Sequence, residues 1–249
     1  MSMTPSAKEY RERLLPDVPP THEATDPELV ERFGSFAFDE VIAQSKLDDR
    51  TRMTVILAAL VGCQGVEEFK IMLPAALNVG VTPLEAREIV YQAVPYLGMG
   101  RVFPFVGAMN EIFTARGVEL PLPNMAMATP DSRERKGEAA QVSIFGDSMY
   151  GFAQSGPEET RHINRWLTAN CFGDWYVRGG FGYEKREVLT LCYLAAQGGC
   201  ESQLTSHAKA NLRLGNDKAF LIDVISNLVP YIGYPRCLNA LRCLEEAAK

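Results

Sequence analysis

The chain is poor in several things that common chemistries need. It holds three histidines and two tryptophans in 249 residues. Its six cysteines stand at 63, 171, 192, 200, 237 and 243, and no two of them form a Cys-x-x-Cys pair. That excludes zinc ribbons and dithiol redox centres of the usual spacing. Apolar runs such as Val55–Cys63 fall far short of the roughly 20 residues that span a bilayer. Positive charge is in deficit: 25 Lys and Arg face 31 Asp and Glu, and no basic stripe stands out. A nucleic-acid surface is therefore not expected. The first residues, Met1–Arg13, are polar and charged, without the apolar core of a secretory leader. A cytoplasmic location and free thiols are the expectation. No stretch shows the alternation of a half-buried strand.

What the chain does have is a duplication. Val94-Pro95-Tyr96-Leu97-Gly98-Met99-Gly100-Arg101 returns, 135 residues later, as Val229-Pro230-Tyr231-Ile232-Gly233-Tyr234-Pro235-Arg236. The same offset lays Leu77 on Leu212 and Gly80 on Gly215. So long a period excludes a solenoid and reads as one domain repeated in tandem. At 249 residues, each copy is large enough to bury a core.

Helical signals fill both copies. Leu84, Ile89, Val90 and Ala93 recur at helical spacing, as do Phe220, Leu221, Val224, Ile225 and Leu228. Thr82-Pro83-Leu84-Glu85 reads as a capping box. Gly80 and Gly215 close the preceding helices, and Pro95 and Pro230 are expected to end the capped ones. Helices are then expected over about 101–115 and 235–247. Thr4–Ala24 is Pro-rich and reads as an extended arm, and Gly117–Arg133 as a linker. The expectation is an all-α protein of two helical-bundle domains. An arm over 1–25 leads to a degenerate first repeat over 26–116. A linker over 117–134 then leads to a second repeat over 135–249 with the candidate active site.

The copies differ where chemistry would sit. The second has Cys200, Gln203 and His207, and the first has Gly65, Glu68 and Met72 at those places. Residues 200, 203 and 207 share one face of a helix and can line one pocket. His207 can carry a proton at neutral pH or hold Cys200 as thiolate; otherwise it is a helix histidine bonded to a neighbour. Cys200 follows Gly198-Gly199 and precedes a helix, a setting that favours a thiolate; otherwise it packs as a small hydrophobe. Glu68 can be brought to a pocket by docking of the repeats, or can face water. Tyr231 and its counterpart Tyr96 can close the pocket or pack. Arg236 and Arg101 can clamp a carboxylate or form surface pairs. Trp166, Trp175 and Tyr176 have no aromatic counterparts in the first copy.

In the second copy Gln203-Leu204-Thr205-Ser206-His207, Gly215 and Tyr231-x-Gly233-x-Pro235-x-x-Leu238-Asn239-Ala240 stand in a row. That row resembles the pattern of the carboxymuconolactone decarboxylase family, which includes the alkyl hydroperoxidase D proteins. In the first copy Arg52, Glu68-Phe69, Gly80-Val81-Thr82, Glu88 and Tyr96-x-Gly98 echo it. The resemblance implies an all-helical, alkyl hydroperoxidase D-like fold. For a two-domain member it implies a homotrimer. The decarboxylase pattern has Glu where Gln203 stands. The hydroperoxidase pattern has a second Cys at that place, and a Glu one position away from Glu187.

Three functions follow. The first is a cofactor-independent enzyme acting on a small carboxylated lactone or related acid. In it His207 is the acid/base, with Gln203 and Cys200 in the site and Arg236, Tyr231 and Glu68 on the substrate. The second is a thiol-dependent hydroperoxide reductase that attacks through Cys200. The third is a non-catalytic oligomeric binding protein. No cofactor, metal, nucleic acid or membrane is called for in any of them. The expected partners are a small molecule and further copies of the chain.

Overall fold

A proline near the start of the chain begins a helix instead of preventing one. Thr4 accepts a hydrogen bond from the Ala7 amide, and Pro5 has no N–H to leave unpaired. Helix α1 (Pro5–Leu14) therefore forms inside the segment expected to be an extended arm. The structure is a computed structural model that describes residues 3–16, 18 and 21–249. The arm expectation at 1, 2, 17, 19 and 20 lies outside the described residues. Helix α2 (Pro27–Ser35) passes through a π-helical turn, Phe36–Glu40, into α3 (Val41–Gln44).

The first repeat then runs through α4 (Asp49–Cys63), α5 (Val66–Asn78), α6 (Pro83–Gln92), α7 (Val94–Leu97) and α8 (Met99–Ala115). Asp48 caps α4 through the Thr51 amide, and Gln64, at φ 66°, ends it. Thr82 and Glu85 form the reciprocal capping box that opens α6. The segment after α8 carries no helix until α9 (Arg133–Phe145), and Arg87 pins it by donating to the carbonyls of Leu122 and Pro123.

The second repeat follows as α10 (Arg161–Trp166), a π-helical stretch Leu167–Tyr176, α11 (Tyr183–Gln197), α12 (Glu201–Arg213), α13 (Lys218–Ile232) and α14 (Tyr234–Ala247). Asp217 caps α13 through the Phe220 amide, in register with Thr82, the cap of α6 in the first copy. Gly98 and Gly233 share φ values of 80° and 79°, and Gly80 and Gly215 share 91° and 94°. Only glycine holds that region without strain, which is why these positions survived in both copies. Pro230 does not end its helix as expected: α13 runs on to Ile232, and the turn is made by Gly233. Among the described residues there is no strand.

Helices α4 and α11 are counterparts, and they pack against each other at the centre. Both are buried on all sides, over Arg52–Gly62 and Arg186–Ala196. Gly62 sets their closeness, since a Cβ there would stand 2.7 Å from the Ala196 Cβ. The copies thus pack against each other through equivalent helices. A buried ion cluster joins them. Glu88 of α6, fully buried, accepts from Arg178 at 2.8 Å and from Arg186 of α11 at 3.3 Å. Gln92 donates to the Arg186 carbonyl at 2.7 Å and accepts from its guanidinium at 2.8 Å. Such a cluster costs desolvation but leaves no alternative partner once the repeats dock.

Candidate active site

Glu187 lies beside Arg186 at the head of the buried run of α11, wholly buried. A carboxylate placed there must find donors. It finds two. One oxygen meets His207 Nδ1 of α12 at 2.7 Å, and the other accepts from the Tyr176 hydroxyl at 2.7 Å. The Tyr176 oxygen lies 2.6 Å from the Thr190 hydroxyl, and the Tyr96 hydroxyl donates to it at 2.7 Å. Tyr176 has one proton to give, so it gives it to the carboxylate and accepts from Tyr96 and Thr190. The result is a continuous line: Tyr96, Tyr176, Glu187, His207.

The line fixes a tautomer. Facing a carboxylate, Nδ1 must carry a proton, which leaves Nε2 as the acceptor nitrogen of the neutral ring. Nε2 makes no hydrogen bond to any described residue and is not sealed off, and the side chain keeps 10% of its surface. The rings of Phe145 and Tyr96 flank the imidazole edge-on, with centroids at 5.3 and 5.5 Å. Asn211, one turn on, donates to the carbonyls of Glu187 and His207 and holds α12 against α11. Burial pushes the hydroxyls of Tyr96 and Tyr176 well above the usual tyrosine range, so both stay protonated donors. Cys171 lies against this group, and burial pushes its thiol up to about 12.

The residues singled out in the sequence do not all meet here. His207 is in the site. Gln203, a turn earlier on α12, is exposed and accepts only from Ser202. The Cys200 sulfur donates to the Leu194 carbonyl at 3.5 Å and accepts from Gln197, with no bond to His207. Burial raises its pKa, against the lowering expected at a helix start. Arg236 is exposed beside Gly198. Tyr231 is not at His207. The tyrosine beside that ring is Tyr96, from the other repeat, since each Pro-Tyr turn packs its tyrosine on the opposite half. Tyr231 packs instead on Phe33 and lines a cavity with Glu68.

Two residues carry the site that the sequence did not assign to it, Glu187 and Tyr176, and Tyr96, weighed as closing the pocket or packing, stands beside His207. Glu187 closes the charged stretch Glu184-Lys185-Arg186-Glu187 at the head of an apolar run, so nothing local in the sequence marks it for burial. Tyr96 and Tyr176 reach the site only through tertiary packing.

At the equivalent place in the first repeat, Met72 stands for His207 and Arg52 for Glu187. Every nitrogen of the Arg52 guanidinium is bonded, to Asn227, Leu47, Tyr10 and Asp49. No proton carrier remains on that line, but a cavity of about 370 Å³ opens beside Met72, Glu68 and Tyr231. Among the described residues no cluster of His, Cys, Asp and Glu is placed to hold a metal ion. No described helix is long and apolar enough to cross a membrane.

Comparison with known proteins agrees with this layout. A solved structure from Burkholderia xenovorans, provisionally assigned as a gamma-carboxymuconolactone decarboxylase subunit, matches over 97% of this chain and 95% of its own. The identity is 20% and the TM-score 0.55, a likeness of fold. No curated protein matches the chain. The model of the carboxymuconolactone decarboxylase family matches twice, over 27–111 and 162–246, in register with the internal repeat. The chain is therefore a tandem, all-α member of the carboxymuconolactone decarboxylase family.

Proposed function

We propose that the chain is a cofactor-independent acid–base enzyme acting on a small carboxylated lactone or related acid, with His207 as the proton carrier. One observation carries this reading: a wholly buried carboxylate stands 2.7 Å from His207 Nδ1 while Nε2 stays open. Glu187 orients the ring and balances the charge it gains when Nε2 takes a proton. Tyr176 and Tyr96 hold Glu187 in place. In a decarboxylation the bond to the substrate carboxylate breaks and CO2 leaves. The electron pair stays on the substrate carbon and is quenched by a proton that Nε2 has first taken from solvent, the ring returning to its neutral form. In an isomerisation Nε2 takes the proton from one carbon and returns it to another.

The alternative of a hydroperoxide reductase has less to support it. Burial favours the neutral thiol at Cys200, whereas attack on a peroxide needs the thiolate. A binding protein without catalysis has no need of the Glu187–His207 pair. The test is a panel of carboxylated lactones assayed for CO2 release and for isomerisation. We expect turnover by the wild type and a drop in kcat of about 10²- to 10⁴-fold in His207→Gln, the usual worth of a general acid–base. Equal rates in the two proteins would remove His207 from the chemistry.

A further inference from the structure

The proton-transfer site in the second repeat leaves the cavity of the first without a role. Its volume, about 370 Å³, falls in the range of small-molecule pockets, roughly 300–1,000 Å³. Its walls are apolar and aromatic, with Phe33, Phe38, Leu60, Met72 and Tyr231 among them. Phe33 stands edge-on to both Phe38 and Tyr231, with centroids at 6.2 and 5.8 Å. Into this apolar space the chain puts one acid, Glu68. No described residue gives Glu68 a hydrogen bond or an ion pair. Burial alone raises its pKa, with no neighbouring cation to offset it. The Tyr231 hydroxyl close by is also without a hydrogen bond to any described residue, and the Glu68 charge pushes its pKa up further.

Arg11 and His22 also line the cavity, and neither is bonded to Glu68. The Arg11 guanidinium reaches the lining but donates to the Val18 carbonyl and is balanced by Glu23 and Glu12. Arg52 is paired with Asp49 at 2.7 Å. What the cavity lacks is a positive charge opposite Glu68, on a body that fills an aromatic space. An ammonium group supplies that charge and is also attracted by the faces of aromatic rings.

We propose that the first repeat binds a hydrophobic amine in this cavity, its ammonium paired with Glu68 and its apolar body among Phe33, Phe38 and Tyr231. The repeat that lost its proton carrier thus keeps a ligand site of different chemistry. The site is independent of turnover at His207.

Calorimetric titration of the whole protein at neutral pH with 2-phenylethylamine, 2-phenylethanol and 3-phenylpropionate tests it. The amine should bind at least tenfold more tightly than the alcohol or the acid. Glu68→Gln should weaken the amine at least tenfold and leave the alcohol unchanged. That substitution suits the fold, because Gln203 already occupies the equivalent position. Ile71→Trp, which fills the cavity, should abolish binding of every probe. His207→Gln should bind the amine as the wild type does, so that failure here stays separate from failure at the other site. The proposal falls if the alcohol binds as well as the amine, if Glu68→Gln leaves the amine affinity intact, or if no probe binds.

Discussion

Single residues decide what each half can do. Glu187 and Arg52 occupy the same place in the two repeats, and each is buried among the groups that satisfy it. With Glu187 the site orients an imidazole, and with Arg52 it becomes a structural knot. Tyr96→Phe should cost about 0.5–1.5 kcal/mol, one donor lost from the buried line to Glu187. It should lower kcat far less than His207→Gln does, and denaturant unfolding together with kinetics on the same lactone checks both halves of that statement. Glu68 makes a prediction of opposite sign. Its folded pKa is raised above the ordinary value of 4.5, so folding favours its protonated form. Its contribution is intact below that value and is lost as pH rises through the folded pKa. Glu68→Gln should therefore raise the melting temperature at neutral pH. The gain should shrink to nothing below the ordinary glutamate range. A melting curve taken at several pH values reads the trend, and a gain that grows on acidification would contradict it.

At the scale of elements, the helices were legible where a local rule decides them. Gly80, Gly215 and the capping box at Thr82 mark helix ends by backbone conformation and hydrogen bonding that any chain must obey. Helix α1 escaped because prolines flank it, although Pro5 sits at the one helical position that suits it. Pro230 misled in the other direction, since α13 carries it inside the last turns. The π-helical stretch Leu167–Tyr176 left no readable period, yet it delivers Tyr176 and Phe172 to the site. Its place is set by backbone contact with α9. A Cβ on Gly173 would run into the Arg133 carbonyl, and one on Gly137 into the Thr168 carbonyl. Gly173→Ala should therefore force the two elements apart at about 1–3 kcal/mol, the usual cost of overpacking. Because Tyr176 moves with its element, turnover should fall as well. Urea unfolding and kcat measured on one preparation would show the two losses together, and a variant of wild-type stability would refute the contact.

At the scale of the whole molecule, His207 and its neighbours show why the site was only partly readable. Gln203 and His207 share α12 and Cys200 stands at its N-cap, but burial selects only His207, and the tyrosine beside it arrives from the other repeat. The Glu88 cluster and the α4–α11 contact also span both halves, so neither repeat is complete alone. Thermal unfolding followed by far- and near-ultraviolet circular dichroism should give one shared transition; two separated ones would mean that the halves fold independently. The surface extends the same symmetry outward. Met99 and Phe103 on α8 are exposed, and Tyr234 and Leu238, their equivalents on α14, are exposed too. Large apolar groups left in water at matched places suit a ring, in which each repeat must offer its neighbour the same patch. Three chains of two repeats would close a ring of six equivalent units. Light scattering at micromolar concentration should then give three times the chain mass of 27.6 kDa. Phe103→Glu with Leu238→Glu should reduce it to a single chain that keeps its helical content. A wild type that scatters as one chain at that concentration would rule the ring out.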